Sequence, residues 1–196
     1  KILKTYNPKN YLFEKQRQFE VPRPYNYNTS WPQPFFIVFS HFYSVKTANL
    51  LRKIYEKETG TKYDIVLKMR YDIAIGNKVK WEEYDLNNLY IHDNCNMWSD
   101  LHDELSFNDM IAFSKPENMD VYCNTFDILD KIYMENQIRF SCECFLGYNL
   151  LNNNINVVPL DFSRGFMLRE DFAHDITQGV VHDLKTLHKY MIHYDS

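Results

Sequence analysis

A single α/β domain, a mixed sheet flanked by helices, is the architecture this sequence predicts, and three observations predict it. Long stretches with apolar residues at helical spacing alternate with short β-branched apolar runs, which is the pattern of α/β folds. The 196 residues suffice for one domain with a proper core. The composition, 45% hydrophobic and 24% charged, is that of a globular chain and excludes disorder.

The elements follow in order. Tyr11-Leu12-Phe13 is a short strand candidate, and the prolines at 22, 24, 32 and 34 make 21–34 a loop. From Phe35 to about Glu58, Val38, Phe42, Val45, Ala48, Leu51, Ile54 and Tyr55 keep helical spacing. The first turns, Phe35 to Phe39, are apolar nearly all round and are expected deep in the core, with Lys46, Arg52, Lys53 and Lys57 facing water. Gly60 suits the C-terminal cap. Next comes the run Ile65, Val66, Leu67, Met69, read as a central buried strand that ends in Arg70-Tyr71-Asp72. Ile73-Ala74-Ile75 either continues it or begins another, with Gly76-Asn77 as a turn.

Leu89-Tyr90-Ile91 predicts a strand, and 92–109 an acid-rich loop holding His92, Asp93, His102 and Asp103. Met110 to Phe113 is a strand, and Ser114-Lys-Pro-Glu117 reads as a capping box. That box starts one helix striped with Met119, Tyr122, Cys123, Phe126, Leu129 and Tyr133. Ser141 to about Leu151 is a further helix, Ile155 to Val158 a strand, and Val181, Leu184, Leu187 and Met191 mark a last helix in a helical tail over 170–196.

Bulk properties narrow the function. A net charge of −4 and a pI near 6.0 give no electrostatic case for nucleic acid. No run of about 18 apolar residues appears, so no membrane span is expected, and no signal peptide is visible although the chain starts at Lys1. Cys95, Cys123, Cys142 and Cys144 lack a zinc-pair spacing and read as free thiols of a reducing, cytoplasmic setting. Most of the 15 Tyr, 14 Phe and three Trp are expected in the core. Walker, Gly-x-Gly-x-x-Gly, nucleophile-elbow and His-Glu-x-x-His motifs do not occur.

A few positions carry chemistry. Arg70 and Asp72 lie two apart, so in extended backbone they share a face just past a strand's carboxyl end, where open α/β sheets bind ligands. A guanidinium there can clamp a diphosphate and a carboxylate can hold a divalent cation; a structural ion pair is the other reading. Asp109, after Asn108, can be a general base, a metal ligand or an acceptor for sugar hydroxyls, or part of an Asx-turn. Glu143 near a helix start gains from the dipole or points into the same cleft. Arg169 can meet phosphate or one of many acids. The histidine–aspartate group of 92–103 matches no compact metal-ligand spacing, and His174, His182, His188 and His193 are expected to be solvated.

Three segments together carry a resemblance: Phe42-Tyr43-Ser44 with Lys46, Ala48 and Asn49; Tyr63 to Asp72; and Asn108-Asp109-Met-Ile-Ala-Phe-Ser with Glu143 and Asn153-Asn-Ile-Asn-Val. Over roughly residues 1–169 the chain resembles GT-A-like nucleotide-sugar glycosyltransferases of bacterial surface-polysaccharide clusters and large DNA viruses. Lys68 stands where that family's Arg-x-Arg-x-Asp has its first arginine, and Met110 where a glutamine is usual. The resemblance implies a GT-A-like (Rossmann-like) sheet, a nucleotide-sugar donor and a glycan acceptor. By position it implies Asp72, Arg70, Lys68 and Arg169 at the donor diphosphate, Asp109 at the reacting sugar and Glu143 in the acceptor half. It also implies Mn²⁺ or Mg²⁺, with Asp72 as ligand, although Arg70 takes the first place of the usual Asp-x-Asp pair. Relatives begin with a strand and turn of Ile-Ser-Gly-Gln type upstream of the position of Lys1, so the resemblance implies a piece of a longer protein or an incomplete nucleotide pocket. It implies the cytoplasm as location, that of the host if the source is viral. The alternatives are a non-catalytic glycan- or protein-binding module on the same fold, and a metal-dependent hydrolase using the 92–109 loop.

Overall fold

The computed structural model describes residues 3–4, 7–19, 35–75, 79–92, 106–136, 138, 140–160, 165–168, 172–175 and 181–183. Strands β1 (Val66–Met69), β3 (Leu89–His92), β4 (Ile111–Ser114) and β5 (Val157–Leu160) form a mixed sheet in the order β1-β4-β3-β5. β4 pairs antiparallel with both neighbours and β3 pairs parallel with β5, so β4 alone runs against the other three. The protein is therefore mixed α/β.

β1 lies at the end of this sheet, not at its centre. Its residues alternate between half-buried and exposed, whereas β3 and β4 are buried at every position. The apolar run around Val66 thus marks a strand covered on one face only. Ile73–Ile75 is a separate strand, β2, which pairs with β6 (Gly165–Leu168) in a second sheet. That sheet continues through β7 (Phe172–Asp175) and β8 (Val181–Asp183). Val181, expected on a helix, is thus in a strand.

Among the described residues, four helices cover one face of the first sheet: α1 (Phe35–Thr59), α2 (Pro116–Cys123), α3 (Thr125–Asn136) and α4 (Cys142–Asn152). Leu89, Ile91 and Ala112 meet Phe42, Tyr122, Leu129 and Phe145 in one core cluster. The opposite face carries Tyr90, Ile111 and Phe113 and is covered by Val79, Trp81, Tyr84 and Leu86 from the segment before β3, with Ile73.

Several local expectations change once packing is included. The start of α1 is not deeply buried throughout: Val38 and Phe39 are inside, but Phe36 and Ile37 are 48% and 45% exposed. A helix can bury only the stripe that faces its partner. Arg52 does not face water; its side chain, 12% exposed, donates to Asn49, Glu56 and Asp120 and so ties α1 to α2. Tyr11 to Phe13 forms no strand, and all three side chains are exposed. Gly60 does close α1, at φ +70°, with its N–H donating to the Glu56 carbonyl at 2.9 Å.

The capping box at Ser114 is overturned. Ser114 is the last residue of β4, and its hydroxyl bonds the Asn88 carbonyl at 2.7 Å; Lys115 is the N-cap of α2 and makes no side-chain cap bond. The helix striped from Met119 to Tyr133 is two helices that break at Asn124. The buried Asn149 of α4 supplies the reason: its amide donates to the Val121 carbonyl and to Thr125 Oγ1, both at 2.8 Å, and so takes an acceptor that a continuous helix would use. Ser141 does cap α4, accepting from Cys144 N at 3.2 Å. Ser141→Ala is expected to cost about 1 kcal/mol, read as a lower urea midpoint at unchanged slope.

Expectations for 21–34, Gly76-Asn77, Cys95, most of the 92–109 loop, and Leu184, Leu187 and Met191 lie outside the described residues. Among those residues no helix is long and apolar enough to cross a membrane.

Candidate functional site

The reversed direction of β4 creates the site. Met69 pairs with Ile111, so the end of β1 and the beginning of β4 meet at one edge, and the Arg70 N–H donates to the Met110 carbonyl at 3.1 Å. Residues far apart in sequence, Arg70 and Asp109, are thereby brought together. His92, the last residue of β3, is buried near the same end. The Phe107 N–H donates to the Glu143 carbonyl at 3.1 Å, which fixes the start of α4 beside this edge. Glu143 joins the site region through its backbone.

Arg70 and Asp72 form a two-pronged ion pair: Nε donates to Oδ1 at 2.9 Å and the terminal nitrogen to Oδ2 at 2.7 Å. Asp72 is only 10% exposed at the side chain and Arg70 34%, so the acid is the inner partner and the guanidinium the outer one. The hydrogen bond to Asp72 raises the Arg70 pKa further above its ordinary value, with burial opposing.

Asn108, not Asp109, makes the Asx-turn: its Oδ1 accepts from Met110 N at 2.8 Å. The Asp109 carboxylate is left for other contacts, and Oδ2 lies 3.2 Å from His41 Nε2 on α1. The Asp109 carbonyl accepts from Lys68 Nζ and, at 3.4 Å, from the Tyr122 hydroxyl. Burial lowers the Lys68 pKa, with Asp109 opposing and Arg70 adding to the fall. Burial also lowers His41 to about 4 against the pull of Asp109, so at neutral pH it is an uncharged imidazole. Cys142, at the first turn of α4, completes the group: its sulfur, a His41 nitrogen and an Asp109 oxygen lie within 4.8 Å of one another. Burial pushes the Cys142 thiol well above its ordinary pKa.

A cleft of about 970 Å³ runs between one side of α1 and the whole length of β1. His41, Lys68, Arg70, Arg52 and Lys9 line it along with apolar residues such as Ile37, Val45 and Leu51, and among the described residues no Asp or Glu does. The cleft runs alongside β1, not beyond the carboxyl ends of the strands where the sequence argument places a ligand; only Arg70 and Tyr71 of its lining lie just past the end of β1. Asp72, Asp109 and Glu143 are not in its wall. Asp72 stands behind Arg70, and Asp109 behind His41 and Lys68. Arg169 lies outside the described residues.

A Mn²⁺ or Mg²⁺ ion at Asp72, as expected, would have to share the carboxylate with the Arg70 guanidinium. Each Asp72 oxygen accepts one bond from the guanidinium, which places a positive charge beside any cation held there. The histidines read as a group with Asp93 and Asp103 do not test as one, because only His92 lies among the described residues. His41 and Cys142 are the positions that sequence reasoning missed. His41 does carry a signal: it sits three residues after the buried Val38 and four before the buried Val45, at the spacing of one helix face. Nothing in the local pattern marks Cys142.

The chain matches no protein-family model, no curated protein and no solved structure, so what the site can do rests on its own residues. Those residues define a mixed α/β domain with a cleft lined by cations and apolar side chains.

Proposed function

We propose that this domain is a GT-A-like glycosyltransferase that binds a nucleotide-activated sugar and transfers the sugar to a glycan hydroxyl. The observation that carries this reading is the cleft along β1, with Arg70 and Lys68 in its wall and no carboxylate side chain among its described lining. Such a wall suits a diphosphate, and the apolar stripe of α1 suits the nucleoside and sugar beside it. The volume is in the range of pockets that take ligands of this size, roughly 300–1,000 Å³.

In the reaction, the bond from the anomeric carbon to the phosphate oxygen breaks and the departing nucleoside diphosphate keeps the electron pair. The acceptor oxygen takes that carbon, and its proton passes to an oxygen of the departing diphosphate. Arg70, aimed by Asp72, neutralises the charge growing on the diphosphate, with Lys68 as a second cation. No step runs through a metal at Asp72. Asp109 works one layer back: it touches His41 and anchors Lys68, so its role is positioning. Glu143 belongs to the acceptor half, at the start of α4.

Calorimetry with a panel of uridine, guanosine, cytidine and thymidine diphosphate sugars tests this. One nucleotide class is expected to bind and to be consumed with release of the nucleoside diphosphate. Asp109→Asn is expected to keep donor affinity within about threefold while slowing turnover by roughly 10–100-fold, the size of a misplaced catalytic wall. Heat from no donor sinks the reading, and a donor that binds but is never consumed turns it into a binding module.

A further inference from the structure

We propose that His41, Asp109 and Cys142 form a zinc site, with an imidazole nitrogen, a carboxylate oxygen and a thiolate sulfur at three corners of a tetrahedron and a water at the fourth. The inference goes beyond sugar transfer and does not depend on it. Among the described residues, the three side chains bring one ligand atom each to within 4.8 Å of the others. They come from separate elements: the second turn of α1, the turn before β4 and the first turn of α4.

The spacing of the atoms is the main argument. His41 Nε2 and Asp109 Oδ2 are 3.2 Å apart, yet Nε2 has no hydrogen-bond partner. Two zinc ligands about 2.0–2.1 Å from the ion at a tetrahedral angle stand roughly 3.3–3.4 Å from each other. The pair is therefore already at the separation a shared zinc ion sets, in a contact that is not a hydrogen bond. A thiolate at about 2.3 Å needs the sulfur somewhat farther out, within the spread seen here.

The donor set selects the metal. Nitrogen, sulfur and a single carboxylate suit zinc, whereas magnesium and manganese prefer oxygen. The carboxylate and thiolate together offset the charge of the ion, so the neighbouring Lys68 and Arg70 face a cluster with no net charge. Each ligand is also held independently. His41 is carried by a helix whose Val38, Phe42 and Val45 are buried; Asp109 follows the Asn108 turn; Cys142 follows the Ser141 cap. His41 also lines the cleft, with its Nε2 buried on the side of Asp109.

The test uses the whole 196-residue chain, stripped with a chelator and titrated with zinc against a chromophoric indicator, and separately with cobalt. One zinc per chain is expected, with no comparable uptake of magnesium or manganese. Cobalt is expected to give a sulfur-to-metal charge-transfer band and the intense visible bands of a tetrahedral site. Cys142→Ser is expected to abolish that charge-transfer band and to weaken zinc by more than the roughly 10–100-fold that outer-shell changes cost, while far-ultraviolet dichroism stays unchanged. Zinc uptake well below one per chain, or no charge-transfer band in the unmutated protein, overturns the proposal without recourse to any variant. Equal zinc affinity in a folded His41→Ala protein overturns it as well.

Discussion

Replacing Arg70 with alanine is expected to lower affinity for a nucleoside diphosphate by about two orders of magnitude. A hydrogen bond to a charged group contributes about 1.5–3 kcal/mol, and a guanidinium grips a phosphate through two of them. Each 1.4 kcal/mol is about tenfold in affinity, and screening in an open cleft trims the total. Arg70 is the cation at the strand end, and its raised pKa keeps it charged throughout the working range. Asp72→Asn leaves the guanidinium present but held by one fewer charged oxygen, so a loss of about tenfold is expected. The double variant Arg70→Ala/Asp72→Asn separates the two roles, because it removes the stranded carboxylate that the single alanine change leaves behind. Calorimetry with uridine and guanosine diphosphates reads all three. Unchanged affinity in Arg70→Ala would remove the diphosphate from this cleft.

Phe113→Ala is expected to cost about 3–5 kcal/mol of stability. Phe113 is fully buried in β4, the strand on which both neighbours depend. Its ring lies 5.0 Å from those of Trp81, Tyr84 and Tyr90, the first two edge-on and the last stacked. Deleting it removes a large apolar surface and leaves a cavity among side chains that other contacts hold in place. A domain is stabilised by only about 5–15 kcal/mol in all, so the variant is expected to unfold at a much lower urea concentration. A loss below about 1 kcal/mol would mean that the aromatic layer over this face is not the packed core described above.

Elements made by local patterns were legible in the chain. The stripe of α1, the helix beginning near Ser141, the stop at Gly60 and the apolar runs of β3 and β4 each depend on a few neighbouring residues, and each lies close to where spacing predicts it. What escaped depends on partners distant in sequence. The break at Asn124 follows from an asparagine on α4, and Ser114 was drawn from a capping role by the carbonyl of Asn88. The placing of β1 at the sheet's end depends on pairings that no run of four residues encodes. The site divides in the same way. Arg70 and Asp72 were legible as neighbours, but not for the reason of strand alternation: β1 ends at Met69, and a turn closed by the Ile73 N–H on the Arg70 carbonyl brings the two side chains together. The company of Asp109 was not, since His41, Lys68 and Cys142 reach it only through the packing of α1, β1 and α4. Asp72 and Asp109 were expected at one pocket; both stand one layer behind its wall and act on it through other side chains.

The single reversed strand also sets an order of assembly. Met69 cannot meet Ile111 until the whole stretch between them has been synthesised and its loop entropy overcome. The sulfur of Cys142 comes later still, when α4 has emerged and docked. A nascent chain arrested before α4 would carry the arginine, lysine, imidazole and carboxylate but could not yet hold them in register. Ribosome-bound fragments ending before and after α4 are thus expected to differ in protease resistance around β1, with protection arriving as one late step.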